Sequence, residues 1–195
     1  FDDPVCFVAE PNTNRLYVCG RQGTIHFFVN DPATTTKTLF LDLTAATQGY
    51  DDCGLIGIAF HPEYGISGSP NRGYVYVYYQ FSESPTSGPG RPASATPGFN
   101  RLSRFTVPEG SLVANPASEL ILINQYDRHV WHNGGGMFFG PDGFLYLSNG
   151  DEGAANDSYS QSQEIDSGLF SGVLRIDVDQ DASRSHPIRR QPRSD

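Results

Sequence analysis

The sequence predicts an all-β protein, a β-propeller represented by about three four-stranded blades. Three observations carry this. A hairpin pattern recurs three times: an apolar strand, a Pro followed by Asn, Glu or Asp, a turn, then a strand with a central Tyr. The composition suits aromatic strands and tight turns, with 21 Gly, 14 Pro, 13 Phe and 10 Tyr but only 18% charged residues. No segment has the apolar period of a long helix.

The first hairpin is Cys6-Phe7-Val8-Ala9-Glu10-Pro11-Asn12 followed by Arg15-Leu16-Tyr17-Val18. The second runs from Gly57 through Phe60-His61-Pro62-Glu63 to Gly73-Tyr74-Val75-Tyr76-Val77, and the third from Met137 through Gly140-Pro141-Asp142 to Gly143-Phe144-Leu145-Tyr146-Leu147. Alternation and turn chemistry make each a hairpin. A third strand follows each, at Thr24–Val29, Leu102–Val107 and Val173–Val178. A fourth follows the first two, at Thr38–Leu43 and Glu119–Ile123. The blades are expected at about 1–50, 51–126 and 132–180. Ser82 to Asn100, rich in Ser, Pro and Gly, is expected to be a long exposed loop. Residues 181–195, with Arg184, Arg189, Arg190 and Arg193, read as a basic tail leading onward. Propellers close with about 4 to 8 blades, so the chain is expected to be part of a larger ring. A two-sheet sandwich is the competing fold, disfavoured by the in-order repeat.

A formal charge of −9 argues against nucleic acid or an anionic membrane surface as partner. No apolar run is long enough to span a bilayer. Of the three cysteines, pairing Glu10 with Arg15 places Cys6 opposite Cys19; a disulfide and two packed thiols both remain open, and Cys53 is left over. Asn156-Asp157-Ser158 matches a glycosylation sequon, which favours export.

Two polar clusters are candidates for chemistry. His129-Val130-Trp131-His132-Asn133-Gly134-Gly135-Gly136 precedes the third hairpin, and its glycines permit close backbone approach to a ligand. Ser148-Asn149-Gly150-Asp151-Glu152-Gly153 ends the next strand. Pairing outward from Pro141-Asp142-Gly143 brings Asp151 towards His132, and a carboxylate on an imidazole makes a general base. A tight turn with a capping His is the plainer reading. Asn156, Asp157 and Glu164 offer hard oxygens without EF-hand spacing. His61, before Pro62, reads as a packing or hydrogen-bonding residue, and the Tyr74, Tyr76, Tyr78 strand as inter-blade core. Phosphate-loop, Rossmann, zincin and nucleophile-elbow motifs are absent from the sequence.

At these residues the chain resembles the glucose/sorbosone dehydrogenase family. Cys53-Gly54-Leu55-Ile56-Gly57-Ile58-Ala59-Phe60-His61-Pro62 is similar to its Gly-Leu-Leu-Gly-x-Ala-Phe-His-Pro signature. Arg101–Phe105, His132-Asn133-Gly134-Gly135 with Phe139–Tyr146 and Gly150-Asp151, and Gly172–Asp179 match in order, covering about residues 1 to 180. The resemblance implies the N-terminal half of a six-bladed ring that carries pyrroloquinoline quinone (PQQ) and Ca²⁺, oxidises an aldose and passes electrons to an external acceptor, cytochromes included. It implies His132 as general base, Asp151 as its orienting partner, and Asp52, Trp131, Asn133 and Gly134 beside the quinone; the metal ligands are unassigned. Trp131 stands where the enzymes often have a polar residue, and Asp52 would repel a tricarboxylate unless protonated or calcium-linked. The same propeller occurs in Hedgehog-interacting-type proteins, so an extracellular binding module is the alternative. A sugar substrate, a completing partner segment and a secreted or periplasmic location complete the expectation.

Overall fold

The computed structural model describes residues 1–84, 98–153, 155–162, 164, 168–181 and 183. They form three antiparallel sheets in chain order. The first blade is β1 (Pro4–Ala9), β2 (Arg15–Gly20), β3 (Thr24–Val29) and β4 (Thr38–Asp42). The second is β5 (Leu55–Phe60), β6 (Tyr74–Phe81), β7 (Gly98–Thr106) and β8 (Asn115–Asp127). The third is β9 (Met137–Phe139), β10 (Leu145–Asn149) and β11 (Gly172–Ile176). Each sheet is a meander with its first strand at one edge. β5 packs between β1 and β9, so these edge strands gather along one axis, the blade arrangement of a propeller. Ala155–Asp157 forms a short 3₁₀ turn. No described helix is long and apolar enough to cross a membrane.

The inner strands β5, β6 and β7 of the central blade are buried on both faces, which explains why β6 has almost no polar residue. Val75, Val77 and Tyr79 face the first blade, packing with Tyr17, Ile25, Phe27 and Phe40. Tyr76 and Tyr78 face the third, packing with Leu102, Leu145 and Leu147. The period-2 alternation of a strand thus serves two cores at once. Tyr17 meets Phe60 edge-on across the first seam at 4.8 Å. At the second seam buried His61 bonds Asp179 Oδ1 through Nε2 at 3.0 Å and accepts the Glu63 N–H at Nδ1, a tie between blades rather than a site. The outward faces of the first and third blades leave Phe7 64%, Phe138 59% and Val173 66% exposed.

The expected hairpins and third strands appear where alternation placed them. β8 is longer than the expected Glu119–Ile123 because it pairs along all of β7, tolerating two register shifts. Its polar outer positions hide it in the sequence. The expected loop begins after Phe81, and residues 85–97 and 184–195 lie outside the described residues. Cys6 pairs directly with Cys19 as expected; both are free thiols here, as is Cys53.

Candidate active site

Three connections converge at one end of the blades: 43–54 after β4, 128–136 after β8, and the residues that follow β10. His132 sits at their junction. Its backbone has φ 60°, a left-handed conformation uncommon for a side-chain-bearing residue. Two contacts hold it there. Its N–H donates to Asp52 Oδ2 at 3.2 Å, and Nδ1 lies 2.7 Å from Asp151 Oδ1. Any side chain at Gly150 would run into the His132 carbonyl, so the glycine lets β10 close against the loop. The His132 side chain remains 52% exposed with Nδ1 occupied. Burial raises the Asp151 carboxyl, but hydrogen bonds from His132 and the Gly153 N–H outweigh it and hold it below the usual carboxylate range. Asp151 is therefore a carboxylate at neutral pH, able to keep the Nδ1–H tautomer.

Beneath the loop lies a buried polar network. Asp127, fully enclosed, accepts from Asn100 Nδ2 at 2.7 Å, Asn133 Nδ2 at 3.0 Å and the His129 N–H at 2.9 Å. Tyr78 donates its hydroxyl to Asn149 Oδ1 at 2.9 Å and reaches the Asn133 carbonyl at 3.2 Å. Burial lifts the Asp127 carboxyl to about 7; the His129 N–H and the two amides oppose this, and the Glu152 charge adds to it. Buried Glu152 accepts from Arg128 Nε at 2.7 Å and Gln161 Nε2 at 3.2 Å, tying the two loops together.

The structure brings His132, Asp151, Asp52 and Trp131 together. Asn133, expected beside a cofactor, has its side chain buried in the Asp127 network, pinning the loop from below. Gly134 is exposed at φ 79°, and a Cβ there would lie 2.6 Å from the Ser148 carbonyl, so its glycine serves the close approach of β10. Asp52 spends one oxygen on the His132 backbone. The half-buried Trp131 donates its indole N–H to Asp51 Oδ2 at 2.6 Å and rests on His129, ring centroids 4.4 Å apart. Sequence reasoning missed Asp51, Asn100 and Asp127; it placed Tyr78 in the inter-blade core, where it lies, without its hydroxyl bond to Asn149. Asn100 and Tyr78 lie within strands, and only the adjacency of Asp127 to the His129 cluster signalled a role. Asp157 spends its carboxylate on the Gln161 and Ser162 amides. Among the described residues no three His, Cys, Asp or Glu side chains gather to hold a metal ion.

The family model for glucose/sorbosone dehydrogenase matches residues 1–195. The chain belongs to this family. Among solved structures, the PQQ-bound aldose sugar dehydrogenase of Streptomyces coelicolor superposes with a TM-score of 0.68 at 26% identity, covering 97% of this chain and 48% of that one. The apo aldose sugar dehydrogenase of Escherichia coli, at 14% identity and TM-score 0.57, shares the fold. The Hedgehog-interacting protein of Homo sapiens is 28% identical over 179 residues, 87% of this chain and 23% of the relative. The HIPL1 protein of Arabidopsis thaliana is 26% identical over 171 residues, 75% of this chain and 24% of the relative. This glucose/sorbosone dehydrogenase family member thus spans about a quarter of those relatives and about half of the solved propellers. In its His132 loop one imidazole nitrogen is held by Asp151, and about half of the His132 side chain, 52%, is exposed. Among the described residues the cations beside this loop are already paired, Arg128 with Glu152 and Arg21 with Asp3, while Asp51, Asp52 and Asp151 surround His132, so the loop itself offers a tricarboxylate repulsion.

Proposed function

We propose that this chain contributes the proton-accepting half of a PQQ-dependent sugar dehydrogenase that oxidises an aldose at its anomeric carbon. The observation that carries the reading is the His132–Asp151 pair, 2.7 Å apart and open to solvent, on a propeller of this family. His132 Nε2 accepts the proton of the anomeric hydroxyl. Asp151 keeps Nδ1 protonated, so the lone pair stays on Nε2, and it stabilises the imidazolium that forms. Asp52 steadies the His132 backbone. Trp131 offers a flat wall beside it, and the exposed Gly134 peptide a polar contact. A bound PQQ would supply the two-electron acceptor, reoxidised by an external carrier such as a cytochrome. Ca²⁺ would offset the carboxylates of both quinone and protein. Secretion, or export to a periplasm, is part of the proposal, and the exposed Asn156 of the sequon agrees with it.

The test uses the full-length protein, stripped with a chelator and supplied with PQQ and Ca²⁺ together or singly. Aldose-dependent dye reduction that needs both additions supports the reading. His132→Ala should then abolish turnover while leaving quinone binding measurable. A protein that neither binds PQQ nor reduces dye refutes it. A second reading, a ligand-binding propeller of the Hedgehog-interacting type, is favoured by the named relatives and by the acidic surround of His132. It expects no quinone binding and a protein ligand instead.

A further inference from the structure

We propose that Cys6 and Cys19 form a disulfide across the first hairpin, assembled by attack from Cys6 on an external disulfide. The ladder supplies the geometry. The Glu10 N–H donates to the Arg15 carbonyl at 3.0 Å, which makes 10/15 a hydrogen-bonded pair. Two-residue steps along the paired strands put 8/17 and then 6/19 in the same class. Such pairs have Cα atoms about 5.5 Å apart, inside the disulfide window of about 4.4–6.8 Å; their Cβ atoms, at the wide end of about 5.5 Å, must close by about 1 Å to reach the limit of about 4.5 Å that a disulfide allows. Both side chains point to the same face, towards the second blade.

The two thiols are chemically unlike. Cys19 donates its S–H to Cys6, and the Ile58 N–H from the neighbouring blade adds a second donor; together they outweigh burial and lower the Cys6 value. Cys19 is fully enclosed, and burial pushes its thiol well up. Cys6 is half-buried and lines a cleft of about 320 Å³ shared with Val5, Ile56 and Gly134. An external disulfide therefore reaches Cys6 and not Cys19. The Cys6 thiolate attacks one sulfur of that disulfide and expels the other as a thiol, leaving a mixed disulfide. Cys19 then gives up its proton, attacks the Cys6 sulfur and expels the second thiol. Two protein thiols lose two electrons and two protons, and one external disulfide becomes two thiols. Cys53 stays out of this exchange. It packs against Tyr50 and Val130, donates to the Tyr50 carbonyl at 2.7 Å, and is pushed up to about 12 by burial.

Arg15 separates the two cysteines, so trypsin places them on different peptides, one ending at Arg15 and the other Leu16–Arg21; Cys53 falls on Thr38–Arg72. The full-length native protein is equilibrated with glutathione disulfide, quenched in acid, denatured and alkylated without reductant. The expected result is a linked pair of the two short peptides that vanishes on reduction, with Cys53 alkylated. Full alkylation of Cys6 and Cys19 after oxidation overturns the proposal, as does pairing of either with Cys53 or with a second chain. Cys19→Ala tests the order of attack: a glutathione adduct trapped on Cys6 supports it, and its absence refutes it. The wild-type peptide map needs no variant to fold.

Discussion

Asp127→Asn separates the cost of burying a charge from the hydrogen bonds that surround it. Asp127 is fully enclosed, and its carboxyl is lifted from 3.8 to about 7. The folded protein therefore holds this proton more tightly than the unfolded chain does. Below about pH 4 both states carry it and burial is uncharged. Between about pH 4 and 7 the unfolded state has lost the proton and the folded state has not, so stability falls as pH rises. The slope approaches 1.4 kcal/mol for each pH unit. Across the gap it comes to about 4 kcal/mol. Asp142 and Asp151 are held below the usual carboxylate range and titrate under this window. The assay is urea unfolding of the full-length wild type and Asp127→Asn at half-unit steps from pH 4 to 8. The variant, missing an acceptor for Asn100 and Asn133, should be less stable at pH 4. The difference should shrink by about 4 kcal/mol by pH 7.5. A difference that stays level across the range would show that Asp127 ionises as an ordinary carboxylate, and the burial argument would fail.

Further substitutions probe the supports of the same region. Tyr78→Phe removes the donor to Asn149 and the Asn133 carbonyl, and calorimetric melting should register a loss of about 1–3 kcal/mol. Gly150→Ala forces the His132 loop off β10; hydrogen exchange should rise at the Gly135 and Ser148 amides, whose bonds bridge loop and strand, while β1–β4 stay protected. Unchanged exchange there would mean the loop does not depend on that contact. His61→Ala breaks the tie to Asp179 and vacates a buried position; a cost of about 2–4 kcal/mol in denaturant unfolding is expected. A smaller change than 1 kcal/mol would mean the two blades are joined chiefly by their apolar seam.

The blade pattern was legible because period-2 alternation and Pro-turn chemistry are local, so the Glu10–Arg15 turn alone predicted the Cys6–Cys19 register. The meeting of Asp151 with His132 followed from one hairpin as well. What stayed hidden depended on contacts distant in the chain. The resemblance placed Asn133 beside the quinone; its side-chain partner Asn100, 33 positions away on a strand of another blade, left no mark in the local sequence. Asp51 and Asp52 meet Trp131 and His132 from 80 positions away. Local pattern carries no record of such pairings, and a buried carboxylate such as Asp127 looks like any loop acid until the strands above it are assembled.

β1, β5 and β9 each present an open edge to the common axis, and the Cys6 sulfur on the Ile58 N–H is one instance of what such an edge does. The lining of that axis is made of main chain as much as of side chains. Peptide groups are indifferent to nearly every mutation, since only proline deletes an N–H. Divergence can therefore rewrite the loops around His132 while the axial surface keeps its donors and acceptors. Proline scanning of Phe7, Ile58 and Phe139, whose N–H groups point away from the paired strand, would alter that surface where alanine scanning leaves its peptide groups in place.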